Sequence, residues 1–159
     1  MLERVTVTAQ EAADRAFREH GPKLWRSLLA FTGDPDVASD AMAEAYAQLL
    51  GRGSVVEDQA RWVWRAAFRI AAGDLKRRRL QATSSALTES YEMPEPALDL
   101  IRALERLSPN QRAVAVLRLY VDLPTREVAR ILGIGQATVR VHLSQARRRL
   151  RALLEETDG

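Results

Sequence analysis

Arginines are concentrated in two stretches of this chain, and their side chains are suited to binding phosphate. Pro124–Leu154 carries seven arginines against one acid, Glu127, and Arg61–Leu80 carries seven bases against Asp74. A guanidinium is always charged, and its planar fork of donors matches phosphate oxygens and the edge of guanine. Most charge runs are only solvated helix faces, but two blocks of this density favour a nucleic-acid partner.

The C-terminal basic block has the pattern of a helix-turn-helix. Thr125–Leu132 predicts a short helix, Gly133 a turn that requires a positive φ, and Gln136–Leu154 a second helix. The second helix has one apolar face, formed by Val139, Leu143, Ala146 and Leu150. Because the second helix of this motif lies in the major groove of DNA, the pattern predicts a DNA-binding protein.

The opposite face of this second helix supplies the side chains that would meet DNA. Arg140 can bond guanine in bidentate fashion, Gln145 can address adenine, and Val141 can pack on a thymine methyl group. The helix N-terminus at Thr138 can hold a phosphate, and Arg147, Arg149 and Arg151 are better suited to the DNA backbone. The predicted reading set is Ala137, Thr138, Arg140, Val141, Ser144, Gln145, Arg147 and Arg148.

The other basic block lies on a predicted helix, Asp58–Arg79, in which arginines repeat every four residues beside an aromatic ring. Cations next to such a ring suit unstacked single-stranded DNA, where stacking contributes about 1–3 kcal/mol per base. For both tryptophans the alternative is core packing; we prefer it for Trp64 and leave both interpretations open for Trp62. The predicted single-strand set is Arg61, Trp62, Arg65, Arg69, Lys76 and Arg77.

Two acids, Asp40 and Glu44, lie four residues apart on one face of the predicted helix Asp34–Leu50. Such a pair is suited to basic residues of a protein partner, and the alternative is a pair of exposed, solvated acids. Asp34–Pro35 predicts the start of the helix, since aspartate is a good N-cap and proline is tolerated in the first turn. The predicted buried residues are Val37, Ala41, Ala45 and Leu49.

Nearly every stretch of the chain has helical periodicity and none has that of a strand, so we predict an all-α protein. Residues 81–96 are acidic, weakly apolar and contain two prolines, which predicts a flexible linker. Two small helical domains flank it in this prediction, 1–80 and 97–159, and the second carries the helix-turn-helix. The stretch Glu11–Phe31 predicts one or two helices, interrupted at Gly21–Pro22.

The composition argues against several kinds of site. The chain has no cysteine, and its two histidines, His20 and His142, lie far apart, so we expect no disulfide, metal site or cofactor. Neither a Ser/His/Asp arrangement nor a phosphate-cradling glycine loop is present, which argues against an enzyme. No apolar run reaches the length of a membrane helix, and we expect a cytoplasmic protein without membrane insertion.

Short motifs in both halves of the chain carry a resemblance to one family of transcription proteins. The C-terminal half contains Leu107–Ser108–Pro109–Asn110–Gln111–Arg112, Glu127–Val128–Ala129, Leu132–Gly133–Ile134, Thr138–Val139–Arg140 and Ala146–Arg147. The N-terminal half contains Phe17–Arg18–Glu19–His20, Gly33–Asp34–Pro35, Asp40, Glu44, Tyr46 and Trp62–Val63–Trp64–Arg65. In order and spacing these motifs resemble regions four and two, respectively, of bacterial RNA polymerase sigma factors of the extracytoplasmic-function class.

The resemblance implies a sigma subunit that binds core RNA polymerase, recognises the minus-ten and minus-thirty-five promoter elements and promotes DNA opening. Region two would contact the β′ clamp helices through Asp40 and Glu44, and the stripe that begins at Arg61 would bind minus-ten DNA. Region four would dock on the β flap and read the minus-thirty-five element. An anti-sigma factor is a further implied partner, and the free protein is expected to be a monomer.

Two other functions are alternatives to this one. A LuxR-type helix-turn-helix regulator has similar Thr-Val-Arg and His-Leu-Ser spacing and would bind DNA as a dimer. The arginine run Arg147–Arg149 and the helix around Trp62 argue against it. A degenerate paralogue that binds polymerase poorly is compatible with Ala43 and Leu50, which stand where the family commonly has glutamine and tryptophan.

Overall fold

The computed structural model of the protein describes residues 2–52, 58–81 and 95–158, and every regular element in these ranges is helical. The all-α prediction is therefore confirmed. In chain order the elements are α1 (Leu2–Thr32), α2 (Pro35–Arg52), α3 (Gln59–Gln81), α4 (Glu95–Glu105), α5 (Pro109–Ala115), a π-helical turn (Val116–Tyr120), α6 (Thr125–Leu132) and α7 (Gln136–Asp158).

Helices α1, α2 and α3 pack against one another in the N-terminal half. The start of α2 is capped as predicted, because Asp34 Oδ1 accepts hydrogen bonds from the backbone N–H groups of Asp36 (2.9 Å) and Val37 (3.4 Å). The same carboxylate forms an ion pair with Arg78 of α3, which joins the two helices. The four residues that the sequence assigned to the buried face of α2 are all buried: Val37, Ala41, Ala45 and Leu49.

The predicted interruption of the first helix at Gly21–Pro22 is wrong, because α1 continues through the proline to Thr32. A proline inside a helix removes one backbone hydrogen bond and crowds the preceding turn, at a cost of about 3 kcal/mol. Ala13 before the proline and Leu24 after it are both buried in the same core. Burial on both sides therefore keeps the two segments in a single helix, as packing commonly overrides local propensity.

Most of the predicted linker, residues 82–94, lies outside the described residues, as do residues 53–57. Both ends of the linker are helical: Gln81 is the last residue of α3, and Glu95 and Pro96 belong to the first turn of α4. A proline is tolerated in that turn because the first N–H groups of a helix have no intrahelical acceptor to lose.

Helices α5, α6 and α7 pack together in the C-terminal half, with the π-helical turn between α5 and α6. The turn closes where the backbone N–H of Val121 donates to the carbonyl of Val116 at 3.0 Å. Asp122 then takes a left-handed conformation with φ of 61°. Gly133 ends α6 with φ of 67°, which is the positive value that the sequence required of it.

The two halves are packed against each other and share one apolar core. Helix α3 contacts α6, and α1 contacts α4, α5 and the π-helical turn. Polar contacts cross the same boundary: Arg112 Nη1 donates to the carbonyl of Phe31 at 2.9 Å, and the ammonium of Lys23 lies 5.9 Å from the ring centre of Tyr120. The sequence predicted two helical halves but not that they would be docked together.

Candidate nucleic-acid interface

The outer face of α7 leaves the predicted DNA-reading side chains open to solvent. All eight are exposed: Ala137, Thr138, Arg140, Val141, Ser144, Gln145, Arg147 and Arg148. The inner face holds the helix in place, since Val139 and Ala146 are fully buried and Leu143 and Leu150 are half-buried. The assignment of the two faces is thus confirmed, whereas contact with DNA stays a prediction.

Arginines of α7 surround an open groove on this outer face. The groove is lined by Arg140, Leu143, Ser144, Arg147, Arg148 and Arg151. Its lining contains four guanidinium groups, one hydroxyl and no acid, a combination that suits the phosphate oxygens of a DNA backbone. Arg151, which lies beyond the predicted reading set, belongs to this groove, one further turn along the helix.

The turn between α6 and α7 fixes the angle at which this face is presented. Gly133 adopts a left-handed conformation, and the backbone N–H of Ile134 donates to the carbonyl of Ala129 at 3.1 Å. Helix α7 then starts with the N–H of Val139 bonded to the carbonyl of Gly135 at 3.0 Å. A side chain at position 133 would be strained, because only glycine adopts this conformation at little cost.

One member of the reading set is also tied to α5. The side chain of Gln145 accepts a hydrogen bond at its Oε1 from Gln111 Nε2, at 3.0 Å. Gln111 is half-buried and Gln145 is exposed, so the bond lies at the edge of the outer face. Sequence reasoning missed Gln111, although the Ser-x-x-Gln spacing from Ser108 is the signature of a helix capping box.

The contact between the two halves divides the basic stripe of α3. Arg69 and Lys76 are exposed, and neither forms an ion pair with a side chain in the described ranges. Arg77 is exposed but forms an ion pair with Asp74, three residues earlier on the same helix. The N-terminal end of the stripe, at Arg61 and Arg65, instead lies against α6 of the C-terminal half.

Helix α6 engages the first two arginines of the stripe. Arg61 Nη1 lies 3.3 Å from Glu127 Oε1, and its Nε lies 3.1 Å from Asp58 Oδ2. Glu127 is 7% exposed and also pairs with Arg130 at 3.3 Å. Arg65 Nε donates to the backbone carbonyl of Arg130 at 3.1 Å. Two residues that the sequence assigned to single-stranded DNA are therefore occupied by the helix-turn-helix itself.

The two tryptophans of α3 differ in their surroundings. Trp64 is buried, and its ring is stacked on that of Phe68 with 6.1 Å between the centres, so the preferred core interpretation is confirmed. Trp62 is half-buried, and the guanidinium of Arg52 lies 5.3 Å from its ring centre. A cation at this distance is attracted to the face of the ring. Trp62 thus has an aromatic surface that is open in part, as a stacking role requires.

The acidic pair lies on α2. Asp40 and Glu44 are both exposed, and neither forms an ion pair with a side chain of the described residues. Glu44 accepts one hydrogen bond from Gln48, at 3.3 Å. The face therefore presents two carboxylates to solvent, as expected of acids that bind a basic partner or are merely solvated.

A buried arginine connects the two halves. Arg112 is 4% exposed, and its guanidinium donates to backbone carbonyls of Leu104 (2.8 Å), Phe31 (2.9 Å), Leu107 (3.2 Å) and Glu105 (3.3 Å). Burial raises the pKa of the Glu105 carboxyl, and the positive charges of Arg112 and Arg102 oppose that rise. Nothing in the sequence marked Arg112 as buried, because arginine is seldom fully buried unless its donors are satisfied.

The described residues meet the requirements of neither a metal site nor a membrane-spanning helix. Across 2–52, 58–81 and 95–158, no group of three or more histidines and acids is placed to hold a metal ion. Over the same ranges, none of the helices combines the length and apolarity that a membrane span requires.

Comparison with known proteins agrees with both halves of the chain. The family described as sigma-70, region 4 matches residues 97–150. The ECF RNA polymerase sigma factor SigL of Mycobacterium tuberculosis is 31% identical over 163 residues, which cover 93% of this chain and 92% of SigL. The RNA polymerase sigma-E factor of Streptomyces coelicolor is 30% identical over 153 residues, covering 85% of this chain and 81% of that factor.

Solved structures share the fold. The sigma factor RpoE, solved in complex with the anti-sigma factor NepR from Bartonella quintana, superposes with a TM-score of 0.73 at 18% identity and covers 89% of this chain and 96% of RpoE. CnrH, solved with the cytosolic domain of CnrY, gives a TM-score of 0.69 at 21% identity and covers 97% of this chain and 94% of CnrH. With the sequence matches along both halves, the chain belongs to the extracytoplasmic-function (ECF) RNA polymerase sigma factors, alternative sigma factors that act in promoter recognition and transcription initiation.

Proposed function

We propose that this sigma factor binds core RNA polymerase and directs it to promoters, where α7 reads the minus-thirty-five element and α3 contacts minus-ten DNA as it opens. The observation that carries the proposal is the match of 31% identity over 93% of the chain, which spans both halves. A LuxR-type regulator would share only the helix-turn-helix. The exposed arginine groove of α7 supports the first role, and the partly open ring of Trp62 with the exposed cations Arg69 and Lys76 on the same helix supports the second.

The protein surfaces of the complex follow from the same proposal. Asp40 and Glu44 of α2 face basic residues of the β′ clamp helices, and the C-terminal half docks on the β flap. The chain itself carries no catalysis and needs no cofactor, and it is a cytoplasmic monomer until it meets polymerase. An anti-sigma factor is a further partner, which the NepR complex of RpoE supports by analogy.

Contact of DNA with the whole basic stripe of α3, including Arg61 and Arg65, would be favoured by separation of the two halves. Arg61 pairs with Glu127, and Arg65 donates to the carbonyl of Arg130, so a phosphate would compete with α6 for these two exposed guanidinium groups while the halves stay docked. We therefore assign the docked arrangement to the free protein and a separated arrangement to the polymerase complex. Polymerase would favour the separated form by binding it more tightly than the docked one.

The experiment that tests the proposal combines the purified chain with bacterial core polymerase. Gel filtration should show a monomer that joins the polymerase peak, and run-off transcription over a library of promoter fragments should then yield discrete initiation sites. A dimer that binds DNA without joining polymerase would favour the LuxR-type alternative. A monomer that joins polymerase but initiates nowhere would favour the degenerate paralogue.

The double reversal Asp40→Lys and Glu44→Lys should weaken association with core polymerase at least tenfold, since like charges at a close interface cost several kcal/mol. Association is measured by titrating labelled polymerase. Binding of minus-thirty-five duplex DNA by the same variant should be as strong as before. The matched control reverses Glu11 and Asp14, two exposed acids of α1 in the same half, with the same change in net charge. If both double variants bind polymerase alike, the clamp assignment is wrong.

Replacing Arg140 by alanine should weaken minus-thirty-five binding by about 1–3 kcal/mol and relax the preference at one base pair, as expected for a bidentate guanine contact. The measurement is competition binding over single-base variants of the element. Arg149→Ala is the control for base preference, because Arg149 lies outside the groove and is assigned to the DNA backbone, so its loss should weaken binding to all sequences equally. Equal base preference in wild type and Arg140→Ala would remove this residue from the reading set.

A further inference from the structure

A line of hydrogen bonds connects the N-terminus of α5 to the DNA-reading face of α7. The backbone N–H of Ser108 donates to Gln111 Oε1 at 3.2 Å, and the backbone N–H of Gln111 donates to Ser108 Oγ at 3.3 Å. These two bonds form the capping box of α5. Gln111 Nε2 then donates to Gln145 Oε1 at 3.0 Å.

The backbone N–H of Ser108 determines the order of donors and acceptors in this series of hydrogen bonds. A backbone N–H can only donate, so the end of Gln111 that faces Ser108 must be the amide oxygen. The other end of the same amide is then an NH₂ group, which must face Gln145. Of the two polar atoms of the Gln145 amide, only the oxygen can accept from this donor, and the two atoms lie 3.0 Å apart.

We propose that Gln111 is a positioning residue that sets the base preference of Gln145. By occupying the Gln145 oxygen, it turns the NH₂ group of that side chain toward DNA. Gln145 then offers donors, which suit the O6 and N7 of guanine or the O4 of thymine better than adenine, whose N7 acceptor lies beside an amino donor. Without Gln111, a glutamine would be expected to form the bidentate adenine contact, which requires both its oxygen and its NH₂. The inference depends on the proposed function, in which α7 reads DNA.

A substitution by glutamate reverses the polarity of the line and leaves the helix cap intact. Glutamate is itself a favoured residue at this position of a capping box, so one carboxylate oxygen of Gln111→Glu still accepts from Ser108. The other oxygen now faces Gln145 as an acceptor, and the Gln145 amide must turn over to donate to it. Its oxygen would then face DNA and suit the N4 amino group of cytosine or the N6 amino group of adenine.

The test uses full-length protein assembled with core polymerase on promoters randomised in the minus-thirty-five element. Gln145→Ala identifies the base pair that Gln145 addresses, as the position at which preference flattens. At that position, Gln111→Glu should change the ratio of guanine and thymine to cytosine and adenine by about tenfold, in favour of cytosine and adenine. The added negative charge lowers binding to all sequences, so the readout is the ratio and not the affinity. In the Gln145→Ala background, Gln111→Glu should leave the preference unchanged.

The remaining outcomes distinguish a failure of the Gln111 positioning role from a failure of the α7 reading role. If Gln145→Ala alters the preference but Gln111→Glu matches wild type, the positioning role fails and the reading role of α7 stands. A residue that only caps α5 would give this result, because glutamate caps equally well. If neither Gln145→Ala nor Arg140→Ala alters any preference, the reading role of α7 fails and the positioning role fails with it. Gln111→Ala is the second variant: it frees the Gln145 amide, and the preference should broaden without reversing.

Discussion

Replacing Arg112 by alanine should lower the free energy of unfolding by about 3–5 kcal/mol, the range expected when one partner of a buried charged network is removed. The guanidinium donates to four backbone carbonyls and is buried, and alanine would remove this donor from each of them and open a cavity. Urea unfolding followed by circular dichroism measures the difference.

Two further variants test whether the loss of stability in Arg112→Ala comes from the buried guanidinium. Arg106→Ala removes an exposed arginine from the same segment and should change the stability by less than about 0.5 kcal/mol. Arg112→Lys should fall between wild type and alanine, because an ammonium keeps the charge but cannot reach several carbonyls in a planar fork. If Arg112→Ala were as stable as Arg106→Ala, the guanidinium would be solvated in the native protein and not buried.

Glu127→Gln should raise the affinity of the free protein for single-stranded minus-ten DNA by about tenfold. The substitution keeps the size of the side chain but removes the charge that holds Arg61, which weakens the docked form relative to the separated one. A change of 1–2 kcal/mol multiplies the separated population by about 5–30 while the docked form dominates, and apparent affinity rises in proportion. Fluorescence anisotropy with a labelled oligonucleotide measures the effect.

A distance measurement separates this explanation from a simple change of charge. The natural chain has no cysteine, so dyes attached to Ala72→Cys on α3 and Arg126→Cys on α6 would report only the contact between the halves. Glu127→Gln should lower energy transfer between them, and Glu155→Gln, which makes the same charge change at an exposed position, should not. Higher DNA affinity with unchanged transfer would mean that α6 does not need to leave α3.

The parts of the fold that the sequence predicted are those determined by near neighbours along the chain. Asp34 caps α2 through N–H groups two and three residues away, and Gly133 takes the left-handed conformation that its own turn requires. The inner and outer faces of α7 follow from helical period alone, as Val139 and Ala146 demonstrate by their burial. Contacts of this kind are visible in any short window of sequence.

What the sequence did not predict depends on partners that are far away along the chain. Pro22 stays inside α1 because the helix is buried before and after it, and local propensity alone favours a break. Arg112 is buried because Phe31, 81 residues earlier, supplies one of its acceptors. The only hint in the sequence that Arg61 would pair with Glu127 is that Glu127 is the single acid of the basic block Pro124–Leu154. The periodicity of a single sequence does not predict which helix faces, distant along the chain, will pack against each other.

The way in which Arg112 is shared determines how the molecule can open. Three of its four acceptors belong to α4 and the segment after it, and only Phe31 belongs to α1. Separation of the halves would thus replace the hydrogen bond from Arg112 to Phe31 by one to water. The other three hydrogen bonds would continue to hold α4 against α5. In the separated form that we propose, this side chain would thus keep the C-terminal half folded, and domain motions of this kind take about microseconds to milliseconds.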